Sequence, residues 1–221
     1  MQKESERRKI AQERVLRYEK QHRGQKYVFI DNKTNCTNVI FTGCGQSHYM
    51  MITWFRNDNQ HNYLYLHHPV YDHITEEIIV LCGGTSRMYN FIGISFGAAA
   101  AIALSKKFNT IAVVSVDPQP LANFANWNLP QILAGNQAIF FLHHSITEGD
   151  LAHHASLIRC LEQTSILYLV KSSQSKIHST HIPNEEMILT YLRFAQSLRD
   201  PTNQILMKIV PSLNSKFLQW T

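Results

Sequence analysis

The stretch YNFIGISFGAAAAIAL, residues 89–104, carries a strand, a sharp turn and a helix within one short segment. The run 91–94 is apolar, as expected for a strand covered on both faces, and the alanine-rich run 98–104 is a strong helix former. Between them lies Ser95, with a glycine two residues away on either side, in the pattern G-x-S-x-G. In this context the pattern predicts a tight turn that displays the serine hydroxyl above the sheet edge, at the N-terminus of the following helix.

Short apolar runs recur on both sides of this stretch, separated by polar or glycine-containing turns. They predict strands over 27–30, 39–42, 63–66, 91–94, 111–116, 138–142 and 166–170. Helices are predicted over 47–57, 72–82, 96–107, 151–163 and 184–199. This alternation predicts an α/β fold, a three-layer sandwich around a mostly parallel central sheet. The exception is the pair of strands near residues 27 and 39, whose short polar connection predicts an antiparallel hairpin at one edge.

The composition, 221 residues with 44% hydrophobic and 17% charged, is typical of one globular domain and excludes disordered, collagen-like and low-complexity proteins. We divide the chain into a basic N-terminal helix over 1–25, a main domain over 26–200 and a C-terminal extension over 201–221. Prolines and a tryptophan interrupt the pattern over 118–135. We expect a small lid there.

The positive charge is concentrated near the N-terminus. Residues 1–25 hold eight Lys or Arg against four Glu, a net charge of +4 out of the formal +5 of the whole chain. Apart from Tyr18, no aromatic side chains are interleaved for base stacking, so we expect no nucleic-acid partner. We interpret the segment as a solvated helix, with a peripheral contact to a polyanion or an anionic membrane surface as the alternative.

The four cysteines show neither metal-ligand nor disulfide spacing. Cys36, Cys44, Cys82 and Cys160 lie in segments predicted as strand, turn and helix, and we expect free thiols. The first residues lack the apolar stretch of a secretion signal, and no run of about 18 apolar residues occurs that could span a bilayer. These features predict a cytoplasmic location.

A serine hydroxyl is a weak nucleophile until a base removes its proton, so a reactive Ser95 requires a histidine and a carboxylate on later loops. Asp150 follows the predicted strand 138–142, and we expect it on a loop at the carboxyl end of that strand. His181 follows the predicted strand 166–170 and lies directly before the last predicted helix.

Three alternatives stay open for these two roles. Glu148 is a second carboxylate on the same predicted loop as Asp150. Asp117 ends the strand that follows the predicted nucleophile helix and could supply the acid from one strand earlier, although it more readily ends the strand and starts the lid. His178 rivals His181 as the base, because its distance from the preceding strand suits this role slightly better.

Three segments share a pattern with known serine enzymes. Residues 41–47 (FTGCGQS) are similar to a strand-end H-G-x-G turn, with Thr42 where a histidine is commoner. Residues 93–97 match the nucleophile turn, and residues 181–186 (HIPNEE) are similar to an H-x-I-P-x-E-E run, one residue shorter, found before the last helix of some small esterases. On these motifs the sequence resembles the α/β-hydrolase superfamily over roughly residues 27–199.

The resemblance implies a catalytic triad of Ser95 as nucleophile, His181 as base and Asp150 as acid. It also implies an oxyanion hole made by the backbone N–H groups of Phe96 and Cys44. The expected activity is acyl transfer from a small-molecule or saccharide ester. Water as acceptor gives an esterase, and a saccharide hydroxyl as acceptor gives an O-acyltransferase, with an acyl donor such as acetyl-CoA.

A dinucleotide site and a metal site have weaker support in the same residues. The Gly-Cys-Gly turn at 43–45 could begin a dinucleotide fingerprint, but the third glycine and the acidic residue after the next strand are missing. His178 and His181 could hold one metal ion with a carboxylate, whereas adjacent histidines in a strand face opposite sides and cannot chelate together. We therefore expect neither metal nor cofactor. The alternative from another class is a non-catalytic binding or assembly module that keeps Ser95 only as part of a tight turn.

Overall fold

The computed structural model describes residues 2–43, 49–67, 72–83, 87–119, 128–145, 147–164, 166, 168–172 and 182–199. For residues 2–4, 148–151 and 172 it describes the backbone alone. The strands are β1 (Glu19–His22), β2 (Gln25–Ile30), β3 (Cys36–Phe41), β4 (Asn62–Leu66), β5 (Met88–Ile94), β6 (Thr110–Val116), β7 (Ile139–His144) and β8 (Tyr168–Ser172). The helices are α1 (Gln2–Tyr18), α2 (His73–Gly83), α3 (Phe96–Ser105), α4 (Leu129–Leu133), α5 (Glu148–Glu162) and α6 (Glu185–Arg199).

The eight strands form one sheet in the order β1-β2-β4-β3-β5-β6-β7-β8. The pairs β1–β2 and β2–β4 are antiparallel, and every pair from β4 to β8 is parallel. All residues of β3, β4, β6 and β7 are buried, which fits strands covered on both faces. The predicted three-layer α/β sandwich with a mostly parallel sheet is therefore confirmed.

Two apolar layers cover the sheet, and the strand residues alternate between them. On β3, Val39 and Phe41 pack in the layer that contains helices α2, α3, α4 and α5. Ile40, between them, packs in the layer that contains α6, the apolar side of α1 and the segment 49–55. The period of two along the strand thus directs alternate side chains to opposite helical layers. None of the described helices has both the length and the apolar character needed to cross a membrane.

The predicted hairpin between the strands near 27 and 39 is wrong. β2 pairs with β4, and β3 lies between β4 and β5 in the interior of the sheet. The connection 31–35 passes over the start of β4, where Asn62 Oδ1 accepts the backbone N–H groups of Asn32 (2.9 Å) and Thr34 (3.2 Å). An interior position also gives the fully buried β3 a hydrogen-bonded neighbour on both sides.

The N-terminal helix is shorter than predicted. Helix α1 ends at Tyr18, and β1 then pairs with β2 across a turn at Arg23 and Gly24, both with positive φ (46° and 85°). Positive φ at both central residues is the geometry of the turn that suits a two-residue hairpin. At least one basic side chain of α1 contacts the rest of the fold: Arg14 Nη1 donates to the carbonyl oxygens of Ile52 (2.6 Å) and Trp54 (2.8 Å).

Two further predictions differ from the structure. Residues 49–57, predicted as part of a helix, form turns and irregular backbone. Within the predicted lid, α4 buries Leu129, Ile132 and Leu133 in the same apolar layer as α3 and α5. Their spacing makes one apolar stripe, so residues 128–135 belong to the crossover between β6 and β7 rather than to a lid. The rest of the lid, 120–127, and the extension 201–221 lie outside the described residues.

We expect Leu133→Ala to lower the free energy of unfolding by about 2–5 kcal/mol, because it leaves a cavity beneath α4. Leu133 is completely buried, whereas Gln131 on the same helix is exposed. Gln131→Ala is therefore the matched control and should stay close to wild type. Urea denaturation of both variants measures the difference. Equal midpoints for the two variants would show that α4 does not pack into the core.

Candidate active site

Ser95 lies on the turn that joins β5 to α3. Its backbone has φ 54° and ψ −123°, a conformation that is sterically unfavourable for any residue with a Cβ. The turn is held on both sides, since Ser95 N donates to Val116 O (2.8 Å) and Ser95 O accepts the N–H groups of Ala98 and Ala99 in the first turn of α3. The side chain is half-buried, at the carboxyl edge of the parallel sheet.

The glycines of the G-x-S-x-G pattern are required by close backbone approach. A Cβ at Gly93 would lie 2.2 Å from Gly97 O, and a Cβ at Gly97 would lie 2.4 Å from Phe41 O. Both distances are far inside van der Waals contact. Glycine at these positions lets α3 start directly against β5 and β3, which brings the helix N-terminus to Ser95.

The carboxyl end of β3 borders the same turn. A Cβ at Gly43 would lie 3.6 Å from the Cβ of Ser95, so the backbone after β3 runs beside the serine. Thr42, at the position where a histidine is commoner in the resembled motif, is buried, and its Oγ1 accepts Met50 N–H (3.2 Å). This hydrogen bond ties the end of β3 to the segment beyond Cys44, which itself lies outside the described residues.

Asp117 follows β6 at the same edge. Its φ is 45°, the residue is 1% exposed, and its Oδ1 accepts the backbone N–H of Ser145 at 2.6 Å. Its own backbone N–H donates to His143 O at 2.9 Å. Asp117 therefore joins the end of β6 to the end of β7.

The histidines at the end of β7 face opposite layers, as expected for neighbours in a strand. His143 Nε2 lies 3.0 Å from the hydroxyl of Tyr191 on α6, and the Tyr191 ring stacks on Phe141. The ring of His144 stacks on His154 of α5, with centroids 4.0 Å apart. Nothing in the sequence pattern pointed to either pairing, because both join residues of separate elements.

His154 is a buried imidazole kept in its neutral form. Burial lowers its pKa from 6.5 to about 3, with a further contribution from His144. Neither ring nitrogen has a hydrogen-bond partner among the described residues. At neutral pH the ring of His154 is uncharged, so no charge is buried. Protonation of His154 in the folded chain is unfavourable.

We expect the folded state to lose stability as the pH falls below about 6.5. In the window from 6.5 to about 3, the unfolded chain binds a proton at His154 that the folded chain does not, so His154 contributes a slope of up to about 1.4 kcal/mol per pH unit. His154→Phe keeps a stacking ring but cannot bind a proton. Its melting temperature should fall less than that of wild type between pH 7 and pH 4.5; parallel losses in both proteins would contradict this.

The two described buried thiols are poor rivals to Ser95 as a nucleophile. Burial raises the pKa of Cys36 and of Cys82 to about 12, so both remain protonated at neutral pH. Cys36, Cys82 and Cys160 are free thiols. Among the described side chains, no three His, Cys, Asp or Glu lie close enough together to hold a metal ion.

The remaining predicted site residues are only partly described. The backbone of Glu148 and Asp150 lies in the first turn of α5, so the prediction that Asp150 sits on a loop is wrong: the helix begins earlier than expected. Acidic residues suit a helix N-terminus, which explains the earlier start. The side chains of Glu148 and Asp150, and all of His178 and His181, lie outside the described residues.

The solved structures that this chain resembles in fold include esterases and another α/β-hydrolase enzyme. Esterase B from Lactobacillus rhamnosis is 14% identical with a TM-score of 0.54, over 86% of this chain and 86% of the other. An esterase from Pyrococcus furiosus is 15% identical with a TM-score of 0.55, over 79% and 84%. An α/β-hydrolase enzyme from a lagoon sediment metagenome of Mar Chica, Morocco, is 14% identical with a TM-score of 0.53, over 83% and 99%. The chain matches no protein-family model and no curated protein sequence.

Proposed function

We propose that this chain, which has the α/β-hydrolase fold, hydrolyses carboxylic esters with Ser95 as its nucleophile. One observation carries the proposal: Ser95 is held at φ 54° and ψ −123° on a turn between β5 and α3 that only glycine neighbours permit. Strained residues of this kind persist where the surrounding structure fixes them, and they cluster at active sites. The esterases with the same fold support the choice of reaction.

The proposed base is His181, and the proposed acid is Asp150. Asp150 follows β7 and His181 follows β8. With Ser95 this gives the chain order Ser, Asp, His that this fold uses. His178 is the alternative base, and Glu148 and Asp117 are the alternative acids. In each case the acid holds the imidazole in the tautomer that accepts the serine proton.

The proposed reaction has two halves. The base takes the proton of the Ser95 hydroxyl while Oγ bonds to the ester carbonyl carbon, and the tetrahedral intermediate then expels the alcohol, which leaves with that proton. In the second half the base takes a proton from water, the hydroxide oxygen bonds to the acyl carbon, and the bond to Ser95 Oγ breaks with return of a proton. The products are the alcohol and the carboxylic acid.

The charge that develops on the carbonyl oxygen needs hydrogen-bond donors fixed in place. We assign this role to the backbone N–H of Phe96, the first residue of α3, and to that of Cys44, beyond the end of β3. The N-terminus of α3 adds the positive end of the helix dipole at the same place. A Cβ added at Gly43 would lie 3.6 Å from the Cβ of Ser95, which supports placing the loop after β3 beside the serine.

The experiment uses short-chain p-nitrophenyl esters with and without saccharide acceptors. It measures the release of p-nitrophenol and of the carboxylic acid, and the formation of any acylated saccharide. Hydrolysis by wild-type protein, with a rate unchanged by every acceptor, supports an esterase. A faster release of nitrophenol together with an acylated saccharide would support O-acyl transfer instead. Absence of turnover with acyl chains from acetyl to octanoyl, in a preparation that is folded by circular dichroism, would oppose the proposal.

A further inference from the structure

Asp117 combines three features at the carboxyl edge of the sheet. It is a strained non-glycine residue (φ 45°) that directly precedes Pro118, the residue is only 1% exposed, and it directly follows β6. Ser95, at the end of the adjacent strand β5, is also strained. A buried carboxylate is costly unless hydrogen bonds satisfy it.

A continuous set of hydrogen bonds links the Ser95 turn to the turn after β7. Ser95 N donates to Val116 O at 2.8 Å, and Gln119 N donates to Ser95 O at 3.2 Å, so residues 116–119 enclose the Ser95 peptide. From the middle of that segment, Asp117 Oδ1 accepts Ser145 N–H at 2.6 Å. The acceptor is a carboxylate and the bond is short, which marks a strong hydrogen bond.

Ser145 starts the short connection from β7 to α5, and the first turn of α5 contains Glu148 and Asp150. The position of this connection therefore fixes where the two acid candidates begin. The Asp117 side chain joins this connection to residues 116–119, whose backbone hydrogen-bonds to Ser95.

We infer that Asp117 is a positioning residue, which holds the start of the acid-bearing segment in register with the Ser95 turn through its carboxylate. This inference rests on the proposed function. It differs from the alternative in which Asp117 is itself the acid of the triad, because here Asp117 acts through its hydrogen bond to Ser145 and not by orienting the imidazole.

Two variants separate these roles. Asp117→Asn keeps an acceptor oxygen and tolerates a positive φ, but it removes the charge. Asp117→Gly removes the acceptor while relieving the backbone. Steady-state kcat and KM are measured for both on a p-nitrophenyl ester, together with the pH profile of kcat and hydrogen exchange at the Ser145 amide.

For a positioning residue, Asp117→Asn should stay within about fivefold of wild-type kcat with an unchanged pH profile. Asp117→Gly should lose kcat by about 10–100-fold with KM within about threefold, and the Ser145 amide should exchange faster. A fall of about 10⁴-fold in Asp117→Asn would make Asp117 the triad acid and overturn the inference. Wild-type kcat per folded molecule in Asp117→Gly would overturn it as well.

Failure of the proposed function is distinguishable from failure of this inference. An inactive wild-type protein refutes ester hydrolysis, and the Ser145 amide still reports whether Asp117 holds the β7 turn. Unchanged exchange at that amide in Asp117→Gly would refute the coupling whatever the activity.

Discussion

Ser95→Ala should abolish ester hydrolysis, with kcat lowered by at least about 10⁴-fold. The variant removes the oxygen that would bond to the acyl carbon and leaves the rest of the site in place. Alanine carries the same Cβ as serine, so the strained turn at φ 54° is neither relieved nor worsened. The measurement is kcat/KM on a p-nitrophenyl ester, with the melting temperature as a check on folding.

Ser115→Ala is the matched control for this substitution. Ser115 lies on β6, completely buried, and its Oγ has no hydrogen-bond partner among the described residues. Removing an unsatisfied buried hydroxyl should leave activity unchanged and stability equal or slightly higher. If Ser95→Ala kept a tenth or more of the wild-type rate, another group would be the nucleophile.

Gly97→Ala should strongly destabilise the fold. A Cβ at this position would lie 2.4 Å from Phe41 O and 2.8 Å from Phe41 C, atoms of a buried central strand that cannot move independently. Overpacking usually costs about 1–3 kcal/mol, and contact with fixed backbone belongs at or above the upper end of that range. We expect a loss of at least about 3 kcal/mol in the free energy of unfolding, together with loss of activity in any folded fraction.

Gly135→Ala separates crowding from backbone strain. Gly135 has φ 70°, but a Cβ there would meet nothing within 4 Å. This variant should cost only about 1 kcal/mol, the penalty of a left-handed backbone for a residue with a Cβ. Chemical denaturation of both variants gives the comparison. A Gly97→Ala protein as stable as Gly135→Ala would show that α3 does not approach β3 this closely.

Strands β2 to β8 and most helices could be predicted because each is a local pattern. The run 91–94 and the alanine-rich run after it lie within β5 and α3, since continuous burial and helix propensity are both written in neighbouring residues. Strand order is not local. β3 lies in the sheet interior, and the connection 31–35 that leads to it hydrogen-bonds to Asn62 at the start of β4, 28–30 residues away.

Strand β1 and helix α4 have no clear signal in the sequence. The edge strand β1 (Glu19–His22) is polar throughout and follows a helix without a break, so only its pairing with β2 defines it. Helix α4 is short, and Pro130 at its start is as typical of a loop as of a helix N-terminus. β1 takes its structure from pairing with β2 across a two-residue turn, and α4 from packing in the same apolar layer as α3 and α5.

The turn at Ser95 could be predicted, since glycine spacing and flanking patterns determine it. The coupling by Asp117 could not, because it depends on a hydrogen bond to Ser145 across 28 residues. The sequence could only mark Asp117 as a carboxylate at a strand end. The start of α5 was likewise hidden, because acidic residues fit both an acid-bearing loop and the first turn of a helix.

The most direct test treats wild-type protein with a fluorophosphonate and locates the phosphonylated residue by peptide mass spectrometry. An activated serine attacks phosphorus and displaces fluoride, whereas a serine in an ordinary turn does not react. We predict a single adduct on the peptide containing Ser95, absent from Ser95→Ala and retained in Ser115→Ala. No adduct in a folded preparation, or an adduct on a different residue, would contradict the central claim.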